Sequence, residues 1–325
     1  MRNLTLLSLC FALLFLRDTY ANGRLFVFGD SLSDNGNSFA ITKLLPPATP
    51  APPPLPPPPY GVTFNETGSA TGYFQGRFTD GQNWVDYFHG VAQFSGVDIA
   101  APTAAYDPNN TNGTDFAVGG STSGNVNVLS KDLPSFPDQI SKYVAGFGGK
   151  SAADDLCVIW IGANDFSAGI DPAQTVTNIK DGIAKLSRAG ARTFAVINIP
   201  DLALTPHVKA LDGATIFAAR QFVFTTNVLL EVELLRVAFL RRINIQLVDI
   251  NTIFVPLVYQ PSRFGFTNSI TPALAALAAN PHTNPNDYVF WDDFHPTTNA
   301  HYFAAEFIFK AVFLRPHFHE FLSLR

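Results

Sequence analysis

The chain is poor in cysteine and in charged residues. It holds two cysteines among 325 residues, and Asp, Glu, Lys and Arg together make up 14%. Cys10 lies in an apolar N-terminal run, and Cys157 lies in "LCVIWIG", where a lone cysteine is typical of a small core residue. Disulfides are therefore not expected to stabilise the fold, and the hydrophobic core must be large enough alone.

Excess positive charge and long apolar runs are also missing. The formal net charge is −5 and no basic stripe is visible, which excludes a nucleic-acid partner. Beyond the N-terminal region no run of about 18 apolar residues occurs, so no integral membrane segment is expected in the mature chain. No His, Cys, Asp or Glu cluster has the spacing of a metal site, and we expect neither a metal nor another cofactor. Nothing in the sequence indicates the oligomeric state.

The first residues are typical of a secretory signal peptide. Arg2 precedes an apolar run from Leu4 to Leu16, and Thr19 and Ala21 provide the small residues of a cleavage site. We predict a signal peptide over residues 1–21 and a single domain over 22–325, which makes the protein secreted and extracellular.

The sequence also carries glycosylation sequons, which fit a secreted protein, and a proline-rich segment. Three glycosylation sequons lie in polar, loop-like sequence, at Asn65, Asn109 and Asn112. Residues 46–59, "PPATPAPPPLPPPP", favour polyproline II and cannot join a central strand or helix. A variable surface loop is the preferred interpretation of this segment. A docking site for an SH3-type partner or the edge of a lid is the alternative, although intracellular PxxP readers do not meet a secreted protein.

The alternation of apolar patterns predicts an α/β fold. Four short runs rich in β-branched and aromatic residues read as buried parallel strands, at 24–30, 155–162, 192–200 and 244–250. Residues 175–190 carry apolar side chains at helical spacing, and 214–242 form a long helical pattern that is apolar around much of its circumference. We predict a three-layer fold with a central parallel sheet, and a largely buried 214–242 helix.

Chemically useful residues follow the predicted strands, at the edge where open α/β sheets bind ligands. The first strand ends in Gly29-Asp30-Ser31 and the second in Gly162-Ala163-Asn164-Asp165. Between them Gly119-Gly120 can bring backbone N–H groups close to a ligand. Near the C-terminus Asp292 stands three residues before His295. These residues supply a nucleophile, hydrogen-bond donors, a base and an acid that can orient the base.

The same blocks, in this order, resemble the GDSL or SGNH hydrolase family over nearly the whole mature chain. The matching text is "FGDSLSDNGN", "GRFTDGQNWVDYF", "FAVGGSTSG", "IWIGANDF", "VINIPDLALTP" and "WDDFHPTTNAH". The branch that looks most similar is the large secreted one of plants, fungi and bacterial extracellular lipases. The resemblance implies a flavodoxin-like αβα sandwich and an esterase or lipase that uses no cofactor.

The resemblance also implies roles for particular residues. Ser31 would be the nucleophile, His295 its general base, and Asp292 the carboxylate that orients His295. The oxyanion hole would combine the N–H groups of Ser31 and Gly120 with the side-chain amide of Asn164. The substrate stays open between lipid, phospholipid and acetylated carbohydrate esters. An acyltransferase using the same site and a catalytically silent wall or carbohydrate-binding module are the alternatives.

Other histidines, acids and motifs in the sequence fit the catalytic roles less well. Asp86 and His89 form a second DxxH, but they lie in an apolar helix-like segment without a following proline. Asp293 is one residue too close to His295, and His301 is expected on the following helix rather than in the site. The chain has no G-x-S-x-G, which argues against the α/β-hydrolase family and its nucleophile elbow.

Overall fold

A parallel β-sheet forms the centre of the computed structural model, which describes residues 23–45, 72–110, 112–152 and 154–314. Over these ranges five strands lie in the order β2-β1-β3-β4-β5, and all neighbours are parallel. Their bounds are β1 Gly23–Gly29, β2 Ile99–Ala100, β3 Leu156–Trp160, β4 Thr193–Ile197 and β5 Asn244–Val248. The four predicted strands are confirmed, and β2 is a short edge strand that the sequence pattern did not reveal.

Helices connect and cover the strands. In the described ranges they are α1 Asn37–Leu44, α2 Trp84–Phe94, α3 Phe136–Phe147, α4 Ala163–Ser167, α5 Pro172–Arg188, α6 Pro206–Lys209, α7 Gly213–Arg241, α8 Asn251–Tyr259, α9 Ala273–Ala279 and α10 Thr298–Phe313. Several begin at side-chain caps: Asp171, Asp212 and Thr297 accept backbone N–H groups at the starts of α5, α7 and α10. The predicted helices at 175–190 and 214–242 correspond to α5 and α7.

Two hydrophobic layers enclose the sheet, because successive side chains of each strand point to opposite faces. On one face Leu25, Val27 and Val158 pack in one cluster with residues of α2 and α10. On the other face Phe26 and Cys157 pack with residues of α3, α5 and α7. The three-layer α/β architecture is therefore confirmed. Cys157 is free and buried, and burial raises the pKa of its thiol, as suits a core residue.

The predicted burial of the long helix α7 is wrong. Its inner side contributes buried residues such as Leu230 and Leu234, but its outer side exposes a row of large apolar side chains. These include Phe217, Phe224, Val232, Leu235 and Phe239. A helix apolar all round is expected to be buried, but α7 is an outer-layer helix whose second face is exposed.

The strand order creates a switch point at the ends of β1 and β3. After β1 the chain runs outward to β2 at one edge of the sheet. After β3 it runs the other way, to β4 and β5, so the connections that follow β1 and β3 lead in opposite directions. In open α/β sheets such a switch point opens a crevice at the carboxyl ends of the strands.

Some predicted features lie outside the described residues. These are the signal peptide 1–21, the proline-rich segment 46–59 and Asn65. Asn109 and Asn112 lie within the described ranges, and both are exposed.

Candidate active site

Ser31 follows β1 directly, in a turn organised by buried acids. Asp30 accepts the N–H of Leu32 through Oδ1 at 3.1 Å, and its backbone carbonyl accepts the N–H groups of Ser33 and Asp34. Burial raises the pKa of Asp30 to about 7. This local bonding holds the turn and leaves the Ser31 side chain facing a pocket.

Asp34 ties this turn to the glycine loop. Its carboxylate accepts the N–H groups of Gly36, Asn37 and Ser38 and the hydroxyl of Ser38. It also accepts the N–H of Gly119 at 2.9 Å, 85 residues along the chain. Burial raises the pKa of Asp34, although these donors favour its charged form. The small and polar residues after Ser31 therefore fix two loops against each other.

A tight turn explains how Asp292 and His295 can interact across three residues. Oδ1 of Asp292 accepts the backbone N–H groups of Phe294 at 2.9 Å and His295 at 2.7 Å. The N–H of Trp291 donates to the carbonyl of His295 at 2.8 Å, which closes the turn. The His295 ring thus folds back over the carboxylate of its own turn.

The structure brings Ser31, His295 and Asp292 into one hydrogen-bonded chain. Nε2 of His295 lies 2.8 Å from Oγ of Ser31, although the residues are 264 positions apart. Nδ1 of His295 lies 2.8 Å from both carboxylate oxygens of Asp292. Burial disfavours the charged form of His295, but the charge and hydrogen bond of Asp292 outweigh it and raise the pKa of His295. Burial likewise opposes the charge on Asp292, and the His295 partner nevertheless keeps the pKa of Asp292 below its usual value.

Tyr73 adds a contact that the sequence did not reveal. Its hydroxyl donates to Oδ2 of Asp292 at 2.8 Å, across 219 positions. Burial and the neighbouring charge of Asp292 raise the pKa of Tyr73, so the phenol stays protonated and remains a donor. A single tyrosine in a loop carries no recognisable pattern, and only the fold places it beside this carboxylate.

The three residues predicted to form an oxyanion hole, Ser31, Gly120 and Asn164, line one pocket. Gly120 adopts a φ of 75°, a left-handed conformation that favours glycine, and an added Cβ would meet Asn127 and Leu129. Among the described residues the N–H groups of Ser31 and Gly120 have no hydrogen-bond acceptor, whereas Gly119 uses its N–H on Asp34 and Ser38. Nδ2 of Asn164 donates to the Ser121 carbonyl at 3.0 Å, which orients the amide and leaves its second N–H for a ligand.

Asp165 supports the loop beside Asn164. Its carboxylate accepts the N–H and the hydroxyl of Ser123 and the hydroxyl of Thr175. Because these partners satisfy Asp165, it has a structural role in the loop that presents Asn164.

The pocket that contains these groups is largely apolar. Its volume is about 330 Å³, and Ser31 and His295 share its wall with Gly120 and Asn164. Aliphatic and aromatic side chains form much of the remaining wall: Leu202, Val208, Ile250, Ile253, Phe254, Leu257 and Val289. A pocket of this size and lining suits an apolar group attached to a polar reacting centre.

The other histidines and acids considered in the sequence do not join the Ser31–His295–Asp292 hydrogen bonds. His89 lies on α2 with Nδ1 2.9 Å from the carbonyl of Ile99, and Asp86 pairs with Arg77 instead of with His89. His301 is buried on α10, as expected, but it also lines the pocket; burial lowers its pKa to about 3. Asp293 is exposed beside Asp292 and its carbonyl accepts the N–H of His207.

The described residues offer neither a metal site nor a membrane-spanning helix. Within the described ranges no group of three or more His, Cys, Asp and Glu residues could hold a metal ion. None of the helices in those ranges has the length and hydropathy needed to cross a bilayer.

The chain is similar to several known proteins. A thermolabile hemolysin of Vibrio parahaemolyticus is 24% identical over 298 residues, covering 86% of this chain and 61% of the hemolysin. A GDSL esterase/lipase of Arabidopsis thaliana is 26% identical, covering 88% of this chain and 86% of its own. A phosphatidylcholine-sterol acyltransferase of Aeromonas hydrophila is 23% identical, covering 86% and 87%. This chain therefore spans less than two thirds of the hemolysin.

Relatives named GDSL esterase/lipase point to an enzyme class that hydrolyses esters. The profile of the GDSL-like lipase/acylhydrolase family matches residues 25–308, and the chain belongs to that family. The resemblance noted in the sequence is thereby confirmed.

Proposed function

We propose that the protein is a secreted serine esterase or lipase that works through an acyl-enzyme. The observation that carries this proposal is the unbroken chain from Ser31 Oγ through His295 to Asp292, with both links at 2.8 Å. A serine hydroxyl is a weak nucleophile unless a neighbouring base takes its proton, and His295 occupies that position.

In the first half of the reaction Ser31 forms a bond to the ester carbonyl carbon. Nε2 of His295 takes the hydroxyl proton as Oγ attacks, and the carbonyl electrons move onto oxygen. The N–H groups of Ser31, Gly120 and Asn164 stabilise that oxyanion, each donor contributing roughly 3–4 kcal/mol in related acyl transfers. The bond to the alcohol then breaks, and His295 returns its proton to the departing alcohol oxygen.

In the second half water replaces the alcohol. His295 takes a proton from water as the water oxygen attacks the acyl carbon. The bond from the acyl carbon to Ser31 then breaks, and His295 returns the proton to Oγ. The carboxylic acid leaves and the free enzyme is restored. Throughout, Asp292 holds the imidazole orientation and stabilises its charged form.

Two alternatives have specific support. An acyltransferase would use the same acyl-enzyme with a second alcohol in place of water, and one relative is named a phosphatidylcholine-sterol acyltransferase. A silent wall or carbohydrate-binding module would fit another relative, named an inactive GDSL esterase/lipase-like protein of Arabidopsis thaliana. The intact Ser31, His295 and Asp292 favour an active enzyme, because a binding module does not require these three residues to be hydrogen-bonded in series.

The proposal that the enzyme is secreted rests on the N-terminal sequence and on the two exposed sequon asparagines Asn109 and Asn112. Residues 1–21 have the pattern of a signal peptide, and Asn109 and Asn112 are exposed where a glycan could be attached.

Hydrolysis of p-nitrophenyl acetate, butyrate and palmitate by the native mature protein tests the proposed function. We expect release of p-nitrophenol, with kcat/KM higher for butyrate than for acetate because the apolar wall binds added methylenes. Palmitate reports whether the pocket also takes a long chain. Absence of turnover on every ester by well-folded protein would favour the silent module, and faster product formation with an added alcohol acceptor would favour the acyltransferase.

Replacing Tyr73 by phenylalanine tests its role as a positioning residue. We expect kcat/KM to fall roughly three- to tenfold, because Asp292 loses one charge-assisted hydrogen bond. His295 must be neutral to act, and its pKa is raised, so the acid limb of the native pH profile should lie above pH 6.5. Without the Tyr73 hydroxyl, less of the Asp292 charge is neutralised by hydrogen bonding, so the pKa of His295 should rise further. The acid limb should therefore move to higher pH.

Tyr87→Phe is the matched control for Tyr73→Phe. Tyr87→Phe also loses one partly buried hydroxyl contact, to Oγ1 of Thr298 at 2.9 Å, but that contact does not involve Asp292 or His295. An identical loss of kcat in both variants with no change in either pH profile would show that the Tyr73 hydroxyl is structural only.

A further inference from the structure

The mouth of the pocket carries a rim of exposed apolar side chains. Val128, Leu129, Leu211 and Phe294 all line the pocket, yet each is between 39% and 50% exposed. They come from three segments far apart in sequence: the loop after the glycine pair, the turn before α7 and the Asp292–His295 turn. Convergence of large apolar side chains at one opening, with their outer surfaces in water, is costly unless a partner covers them.

We propose that this rim docks the enzyme onto the surface of a neutral lipid aggregate, so that a lipid acyl ester passes from that surface straight into the pocket. The inference rests on the proposed ester hydrolysis at Ser31. It extends that proposal by naming the physical form of the substrate: an ester of a long acyl chain held in a lipid layer.

Continuity with the pocket selects the occupant. Whatever covers the rim also covers an approach to Ser31 and His295, because among the described residues rim and site belong to one cavity. A second copy of the chain or another folded protein on the rim would close that route. A lipid layer covers the same side chains and itself holds the ester, and the apolar wall behind the rim can accept the acyl chain.

Charge around the rim indicates neutral lipid. Asp212 follows Leu211, Asp293 precedes Phe294, and both acidic residues are exposed. The nearby Lys131 is paired with Asp132 at 3.1 Å, and Lys209, two residues before Leu211, lies near both Asp201 and Arg220. Anionic lipid is recruited by clusters of about four to eight Lys and Arg, and the described segments of the rim carry fewer cationic side chains than that. Apolar burial is left as the driving force, and such binding depends little on salt.

The Phe294 ring is held in place at the rim. It packs against the ring of His207, another pocket residue, with centroids 4.3 Å apart. This ring contact restrains the side chain that projects beside the Asp292–His295 turn, and fewer rotamers are then left to lose on docking.

Binding to sucrose-loaded vesicles of phosphatidylcholine tests the rim. The Ser31→Ala protein serves as the background, so that the lipid stays intact during sedimentation. We expect V128S/L211S to lower the partition coefficient about tenfold, because two partly exposed aliphatic side chains no longer enter the lipid layer. The unsubstituted background protein should bind equally at low and high salt, and added anionic lipid should not strengthen binding.

The outer face of α7 provides a matched control. V232S/L235S makes the same two chemical changes at side chains that are 61% and 66% exposed and do not line the pocket. This variant should bind vesicles within about twofold of the background protein. Melting curves of both variants should match that protein, because exposed side chains contribute little to the core.

Several outcomes would overturn the proposal. These are absence of binding to neutral vesicles, equal binding by V128S/L211S, or a larger loss in V232S/L235S. A dimer in solution that V128S/L211S dissociates would make the rim an interface between copies instead. Binding is measured without turnover, so its failure leaves ester hydrolysis untouched. Vesicle binding by a native protein that cleaves no soluble ester would overturn the proposed function and leave the docking surface.

Discussion

Ser31→Ala is expected to lower kcat for soluble esters by about five to six orders of magnitude, the loss found when a serine nucleophile is removed from such a site. Without Oγ no acyl-enzyme can form, and only binding and the oxyanion donors remain to promote attack by water. The fold should be unchanged, because the Ser31 hydroxyl contacts only His295 among the described residues. Initial rates with p-nitrophenyl butyrate at saturating substrate measure the effect.

Ser167→Ala is the matched control for Ser31→Ala. Ser167 is another serine of the pocket wall, exposed and on α4, with no link to His295. Its loss should change kcat less than about twofold. A phosphonate ester should add one covalent group to the native protein and to Ser167→Ala but none to Ser31→Ala, as seen by mass spectrometry of the digested chain. Normal turnover by Ser31→Ala would disprove the acyl-enzyme at this residue.

His295→Gln is expected to lower kcat by about four to six orders of magnitude. Glutamine preserves much of the side-chain volume but cannot take the Ser31 proton or return it to the alcohol. The residual rate should also lose the acid limb of the native pH profile, because the group responsible for that limb is gone. Both quantities come from kcat measured between pH 5 and pH 9.

His89→Gln separates the two DxxH sequences. His89 contacts the Ile99 carbonyl, and its neighbour Asp86 pairs with Arg77, so this site has no link to Ser31. Its variant should keep the native kcat and pH profile. Loss of activity in His89→Gln with retention in His295→Gln would reverse the assignment of the base.

Much of the site could be predicted because its residues lie at the ends of recognisable strands. Apolar runs ending in Gly29-Asp30-Ser31 and Gly162-Ala163-Asn164 mark chain segments that meet at one sheet edge. Parallel pairing of β1 with β3 then brings Ser31 and Asn164 together without further information. The DxxH spacing works because the Asp292 side chain caps its own turn, an arrangement that depends on local sequence.

Other features could not be predicted. Tyr73 reaches Asp292 across 219 positions from a segment with no periodic pattern. The exposed face of α7 has the same composition as its buried face, and composition does not tell which side of a helix meets another layer. His301 was expected on a helix, and only the packing of α10 shows that it also lines the pocket.

By itself the sequence determined four of the five described strands, the two longest helices, the family, and the identity of the residues proposed for catalysis, because these depend on local periodicity and on short motifs in order. The tertiary structure decided which histidine faces Ser31, which glycine N–H has no acceptor among the described residues, and which apolar side chains stand exposed around the mouth of the pocket. Those properties depend on distances between segments hundreds of residues apart, which only the packed sheet and its connecting loops define.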